Sequence, residues 1–258
     1  MKPYQTVPIE ECGEALIPIP LADFAVVTPH PYVQLGAPYG VLSPYFLRQS
    51  VVQKLTQAQA HLQAERPGWQ LQIFDAYRPV PVQQFMVDYT LAQLAQAAGL
   101  DPHYLTAAER IVLKEKVLQF WAMPSANPNT PPPHSTGAAV DLTLVDAAGH
   151  SVNMGSAIDE ISPRSYPHHF ENSTDAQAQQ YQYHRTLLTR AMTAAGFCQH
   201  PHEWWHFSYG DQLWAWITNN QISPETAGQR GTRAIPLEGC AIARYAESPL
   251  PHLLSSQL

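Results

Sequence analysis

Apolar residues recur at three- and four-residue steps through Phe46, Leu47, Val51, Leu55, Ala58 and Leu62, which predicts an amphipathic helix stopped by Pro67-Gly68. Residues 69–75 then alternate, with Trp69, Leu71 and Ile73 on one face, so a short strand runs into Asp75-Ala76-Tyr77-Arg78-Pro79. Helical spacing returns over 82–98 and closes at Gly99. Asp101-Pro102 reads as the next helix start, backed by a capping box from Thr106 to Glu109, with helix continuing to about Trp121. A proline-rich loop, 124–133, delivers the chain to His134. Residues 138–145 alternate again, with Val140, Leu142 and Leu144 on one face and Ala139, Asp141, Thr143 and Val145 on the other, the pattern of a half-buried strand. A polar, loop-like stretch over 155–174 precedes a helix over 175–195 that ends at Gly196. An aromatic strand over 204–209 and a short helix around 213–217 follow.

These elements predict a single α+β domain over 46–220, with a central, mostly antiparallel sheet flanked by helices. Residues 1–45 are punctuated by proline and lack periodicity, so they are expected to form an arm packed on that core. Residues 221–258 read as a C-terminal extension without informative pattern. A chain of 258 residues is long enough to bury a sizeable core in this way.

Composition narrows the functions available. Lys and Arg number 14 against 21 Asp and Glu, and no basic block occurs, which argues against nucleic-acid binding. The apolar stretch from Ala15 to Val27 is cut by Pro18, Pro20 and Asp23, so neither a signal peptide nor a membrane span is expected. A cytoplasmic location is the resulting expectation. Cys12, Cys198 and Cys240 are far apart and form no Cys-x-x-Cys pair, which argues against a disulfide framework and a zinc ribbon. With 12 histidines present, a bound metal would be held by imidazole and carboxylate.

Two segments carry such groups inside β-prone, apolar sequence: His134-Ser135-Thr136-Gly137-Ala138-Ala139-Val140-Asp141 and His200-Pro201-His202-Glu203-Trp204-Trp205-His206. A carboxylate buried there without a partner would cost several kcal/mol, so a metal or an ion pair is expected. The second segment spells His-Glu-x-x-His, the zincin signature, which requires His202 and His206 one turn apart on a helix. Pro201 before it, the aromatic run within it and Gly210 beyond it favour a strand instead. A split site fits better: His134, Asp141 and His206 hold one Zn2+, a fourth position stays open, and Glu203 shuttles the proton of the attacking water. The plainer alternatives are an Asp141–arginine pair and a satisfied core His206.

The same residues resemble a known family. Pro132 to Asp141, in the form x-His-x-x-Gly-x-Ala-x-Asp, and the downstream Glu203-Trp204-Trp205-His206 are similar to the zinc signature of the peptidase M15 group, which includes the VanX-type D-alanyl-D-alanine dipeptidases. Asp75-Ala76-Tyr77-Arg78-Pro79 resembles that family's Asp-x-Tyr-Arg-Pro, and Met154-Gly155-Ser156-Ala157-Ile158-Asp159 resembles its Met-Gly-x-x-x-Asp. The resemblance, spanning about 32–209, implies the fold of the M15 and hedgehog domains and a zinc D,D-dipeptidase cleaving D-Ala-D-Ala in cell-wall precursor turnover. It implies that Arg78 stabilises the oxyanion, that Asp159 binds the substrate ammonium, and that the backbone of Tyr32 lines the amine pocket. A structural pair with Asp75 is the plainer role for Arg78. Where the family carries serine two residues before its first ligand, to contact the substrate carboxylate, this chain has Pro132, so that contact must come from elsewhere, with Ser135 the nearest hydroxyl. The competing implications are a D,D- or L,D-carboxypeptidase acting on longer peptidoglycan peptides, and a non-enzymatic zinc-binding module. Retention of both Glu203 and Arg78 argues against the module. Oligomeric state is left open by the sequence.

Overall fold

The computed structural model describes residues 2–221 and 241–248. Strand β1 (Leu16–Pro18) and strand β2 (Ala25–Val26) precede a single turn of helix, α1 (Pro31–Gln34). The predicted helix from Phe46 begins three residues later. Phe46–Arg48 forms strand β3, paired antiparallel with β1, and α2 occupies Gln49–Glu65. The apolar spacing ran through the strand because Leu47 is buried on the same core as Val51 and Leu55, so periodicity alone did not mark the boundary.

Strand β4 (Gln70–Asp75) leads to α3 (Val80–Ala97) and α4 (Ala107–Phe120). Helix α4 starts at the capping box and not at Asp101-Pro102. Thr106 Oγ1 accepts from the Glu109 N–H at 3.3 Å, and Glu109 Oε2 accepts from the Thr106 N–H at 2.8 Å. Asp101 instead spends its carboxylate on the His103 N–H, closing a local turn. Strand β5 (Ala139–Val145), helix α5 (Ala176–Ala194), strands β6 (Cys198–Gln199) and β7 (His206–Ser208), and helix α6 (Gln212–Gln221) complete the fold.

The main sheet has the order β2-β4-β5-β7-β6, with only the β2–β4 pair parallel. The expected α+β architecture with a mostly antiparallel sheet is therefore observed, and residues preceding 46 supply its edge strand β2. Leu71, Ile73, Val140, Leu142, Leu144 and Phe207 pack with α2 and α5 in the principal core. A second core gathers Tyr32, Tyr39 and Trp121 with buried residues of α3 and α4, and Phe74 packs against it. Strand β5 is thus buried on both faces rather than half-buried, with only Thr143 partly exposed. The face of β5 that carries Asp141 is closed over by a cluster of polar side chains.

Candidate metal centre and active site

The sheet register builds the site. On β5 and β7, Asp141 stands directly opposite His206, so their side chains share one face. On the other side of β5, Ile73 pairs with Leu142 and Asp75 pairs with Asp141, a register shift of one residue. That bulge turns Asp75 onto the face of Asp141 instead of leaving it with Ile73 in the core. Three neighbouring strands therefore present Asp75, Asp141 and His206 in one row. His134 arrives from the 3-10 turn Pro133–Thr136 just before β5. Gly137 makes that entry possible: its φ is 72°, and a Cβ there would strike the Leu16 side chain.

His134 Nε2 lies 3.1 Å from His206 Nδ1 and 3.2 Å from Asp141 Oδ2, and His206 Nδ1 lies 3.0 Å from Asp141 Oδ1. All three residues are buried. The outer nitrogens define the tautomers. His134 Nδ1 is 2.7 Å from the Ala76 carbonyl oxygen, which can only accept, so Nδ1 carries the proton and Nε2 the lone pair. Ser208 Oγ donates to Asp211 Oδ2 at 2.8 Å and so accepts from His206 Nε2 at 3.3 Å, leaving the lone pair of His206 on Nδ1. Two nitrogen lone pairs and a carboxylate thus face one another at hydrogen-bond distance with no proton between them. Such an arrangement repels itself unless a cation lies at its centre. Tetrahedral zinc with ligands about 2.0–2.1 Å away has ligand–ligand edges of about 3.3 Å, close to the spacings observed. The residues present fit a metal.

Electrostatics agree with that fit. Burial alone would raise the Asp141 carboxyl, but His134 and His206 overcome it and hold it well below the usual carboxylate range. Burial lowers the His206 imidazole, which keeps it in the neutral form that binds metals. Burial, with Asp141 and Asp159 nearby, pushes the Glu203 carboxyl well above its ordinary range. Glu203 Oε2 sits 3.8 Å from His206 Nδ1, beside the three ligand atoms but not among them. A raised carboxyl next to the site suits a group that must take up and release a proton near neutral pH.

Arg78 is both structurally paired and placed at the site. Nε and Nη2 bind Asp75 Oδ2 at 3.0 and 2.7 Å, and Nη2 also reaches Asp141 Oδ2 at 3.3 Å. Asp75 is held in turn by His30 Nε2 at 3.0 Å and the Tyr39 hydroxyl at 3.1 Å. The guanidinium is therefore locked by a structural pair while its edge lines the cavity. Tyr32 takes part through its side chain, whereas the resemblance pointed to its backbone. Its hydroxyl donates to Asp159 Oδ2 at 2.7 Å and accepts from Arg78 Nη2 at 3.3 Å. Asp159 is half-buried in the cavity wall, and burial, reinforced by the Asp141 charge, raises its carboxyl to about 7. It is also the one non-glycine residue with positive φ among the described residues, at 64°, an outlier held by its surroundings.

His202 is exposed, lies in a turn and is absent from the cluster, so the helix that a zincin site requires does not form. Ser135 is fully buried and gives its hydroxyl to the Arg78 carbonyl oxygen at 2.7 Å, so it is not free to meet a substrate carboxylate. Several residues in and around the site were not singled out from sequence. His30 holds Asp75, and His200 lines the cavity 3.6 Å from Glu203 Oε1. Asp211 supports His206 through Ser208 while its Oδ1 accepts from the Trp214 N–H, a helix-capping contact that sequence could have signalled. Arg185, buried on α5, donates to the carbonyls of Met154, Arg164 and Tyr166 and so braces the loop that carries Asp159.

Three buried candidate ligands with a carboxylate beside them fit a metal-dependent hydrolase site. The family model described as peptidase M15, D-Ala-D-Ala dipeptidase, matches residues 26–226, and the chain belongs to this family. It is 49% identical over 227 residues to a D-alanyl-D-alanine dipeptidase of Synechocystis, covering 86% of this chain and 92% of that one. It is 35% identical over 144 residues to the Escherichia coli enzyme of the same name, covering 56% and 57% respectively. A looser likeness, with a TM-score of 0.40 and 18% identity over 64% of this chain and 71% of the other, links it to the solved structure of VanYB in complex with D-alanine-D-alanine.

Proposed function

We propose that the chain hydrolyses the free dipeptide D-Ala-D-Ala with one zinc ion per chain, and that it serves cell-wall precursor turnover in the cytoplasm. Among the described residues no helix is long and apolar enough to cross a membrane. The observation that carries the reading is the convergence of the His134, Asp141 and His206 acceptor atoms beside Glu203 in the cavity that Asp159 also lines. Zinc bound by these three residues would supply a Lewis acid and lower the pKa of water.

The remaining chemistry falls to side chains of the chain itself. Glu203 takes a proton from the water whose oxygen adds to the peptide carbonyl carbon, then delivers it to the departing amine nitrogen as the C–N bond breaks. Arg78, with its edge toward Asp141, favours negative charge developing on the carbonyl oxygen. Asp159, held by Tyr32, pairs with the substrate's free ammonium. The dipeptidase reading is preferred over a carboxypeptidase because a longer peptide has an amide where Asp159 awaits a cation.

A substrate panel tests this. D-Ala-D-Ala is expected to be cleaved at least about tenfold more efficiently than N-acetyl-D-Ala-D-Ala, the cost of leaving one buried carboxylate unpaired. L-Ala-D-Ala is expected to be poorer than the D,D isomer. Equal cleavage of the acetylated compound would show that Asp159 does not bind the substrate ammonium and would favour the carboxypeptidase.

A further inference from the structure

The dipeptide's terminal carboxylate needs a partner, and the groups nearest the proposed metal ligands have other roles. Arg78 gives most of its donors to Asp75, Gln83, Tyr32 and Asp141, and its remaining role is at the carbonyl oxygen. Ser135 is engaged with the Arg78 carbonyl oxygen, and Pro132 has neither hydroxyl nor N–H. The other cation in the cavity wall is Lys2, which lies far from every matched motif in sequence. The Lys2 residue is half-buried, its ammonium donates to the Gln119 carbonyl oxygen at 3.3 Å, and no carboxylate is within ion-pair distance among the described residues. A carbonyl can satisfy one of three ammonium donors. Lys2 lines the same cavity as Glu203, Asp159 and the His134, Asp141 and His206 cluster.

The segment that carries Lys2 is fastened to the pocket. Pro3–Thr6 forms one 3-10 turn, with the Lys2 N–H donating to Gln5 Oε1 at 2.8 Å. Gln212 on α6 is buried, and its Nε2 donates to the Val7 and Asn129 carbonyl oxygens at 2.7 and 3.0 Å. Tyr4, which is 6% exposed, lines the same cavity. Further along, the Glu10 N–H donates to the Ala243 carbonyl, and Arg48 pairs with Glu11. The backbone that delivers Lys2 is tied down at several points.

We propose that Lys2 is the carboxylate anchor of the active site. Its ammonium takes the C-terminal carboxylate of the dipeptide while Asp159 takes the N-terminal ammonium, so the cavity reads a zwitterion between two charges of opposite sign. The inference rests on the dipeptidase reading. A charge-assisted hydrogen bond from an ammonium is stronger than one from a neutral hydroxyl, so Lys2 offsets what Pro132 lacks. The contact is the same before and during reaction, so its loss falls on KM rather than kcat.

Steady-state kinetics of the full-length zinc enzyme on D-Ala-D-Ala and on its C-terminal amide test the assignment. Wild type is expected to prefer the free dipeptide. Lys2→Gln should erase that preference tenfold or more, through KM, and Lys2→Arg should restore most of it. An unchanged preference in Lys2→Gln overturns the assignment, as does an equal loss on both compounds, which would make Lys2 part of a merely structural strap. A wild type that cleaves neither compound overturns the dipeptidase reading, and the anchor with it.

Discussion

Glu203→Ala is expected to lower kcat on D-Ala-D-Ala by about 10²–10⁴-fold, the usual contribution of a positioned general acid–base group, with zinc still bound. The separation of the two effects follows from geometry. The proposed metal ligands are the three atoms spaced at 3.0–3.2 Å, while the Glu203 carboxylate stands outside them, 3.8 Å from His206 Nδ1. Stability should not confuse the result. The Glu203 carboxyl is pushed up in the folded protein, so ionising it above its ordinary pKa costs folding free energy, and its removal relieves that cost. His202→Ala is the matched control, since His202 is exposed and should alter neither metal content nor turnover. Loss of zinc from His202→Ala would mean that the His-Glu-x-x-His pair binds metal after all.

Asp141→Ala is expected to damage metal binding and folding together. Asp141 faces His134, His206 and Arg78 within 3.3 Å, so its loss removes one proposed metal ligand and leaves a buried guanidinium with fewer counter-charges. Removing one member of such a buried network costs about 3–5 kcal/mol, or roughly 10 °C in Tm for a domain of this size. Zinc affinity should fall by about 100-fold or more, since loss of a direct ligand exceeds the loss of an outer hydrogen bond. Metal analysis after dialysis and a thermal unfolding scan check both parts. Stoichiometric zinc and an unshifted Tm would show that Asp141 is not a ligand.

Much of this was legible in the chain because His134, Asp141, Glu203, His206, Arg78 and Asp159 sit in short segments of recognisable local pattern. Alternation over 138–145 put Asp141 opposite to Val140 and Leu142, and the structure keeps it there, on the face away from the principal core. The four motifs reached His134, Asp141, His206, Glu203, Arg78 and Asp159, and the structure gathers all six around one cavity. Long-range placement was not legible. The bulge before Asp75 is a property of the β4–β5 register, and neither strand's own sequence announces it. Tyr32, His30 and Lys2 reach the site from residues without periodicity, where no spacing rule says which side chain turns inward. Arg185 was not singled out from the 175–195 helix, yet it is buried and holds the loop of Asp159. The start of α4 was misjudged for a local reason, because Asp101 closes its own turn before the capping box takes over.

The central claim is that His134, Asp141 and His206 hold a metal on which dipeptide hydrolysis depends. Titration of metal-free protein with Zn2+, while following D-alanine release from D-Ala-D-Ala, tests it most directly. Activity should start near zero, rise linearly and level off at one zinc per chain. Full turnover without metal, or a plateau of no activity with zinc bound, would contradict it.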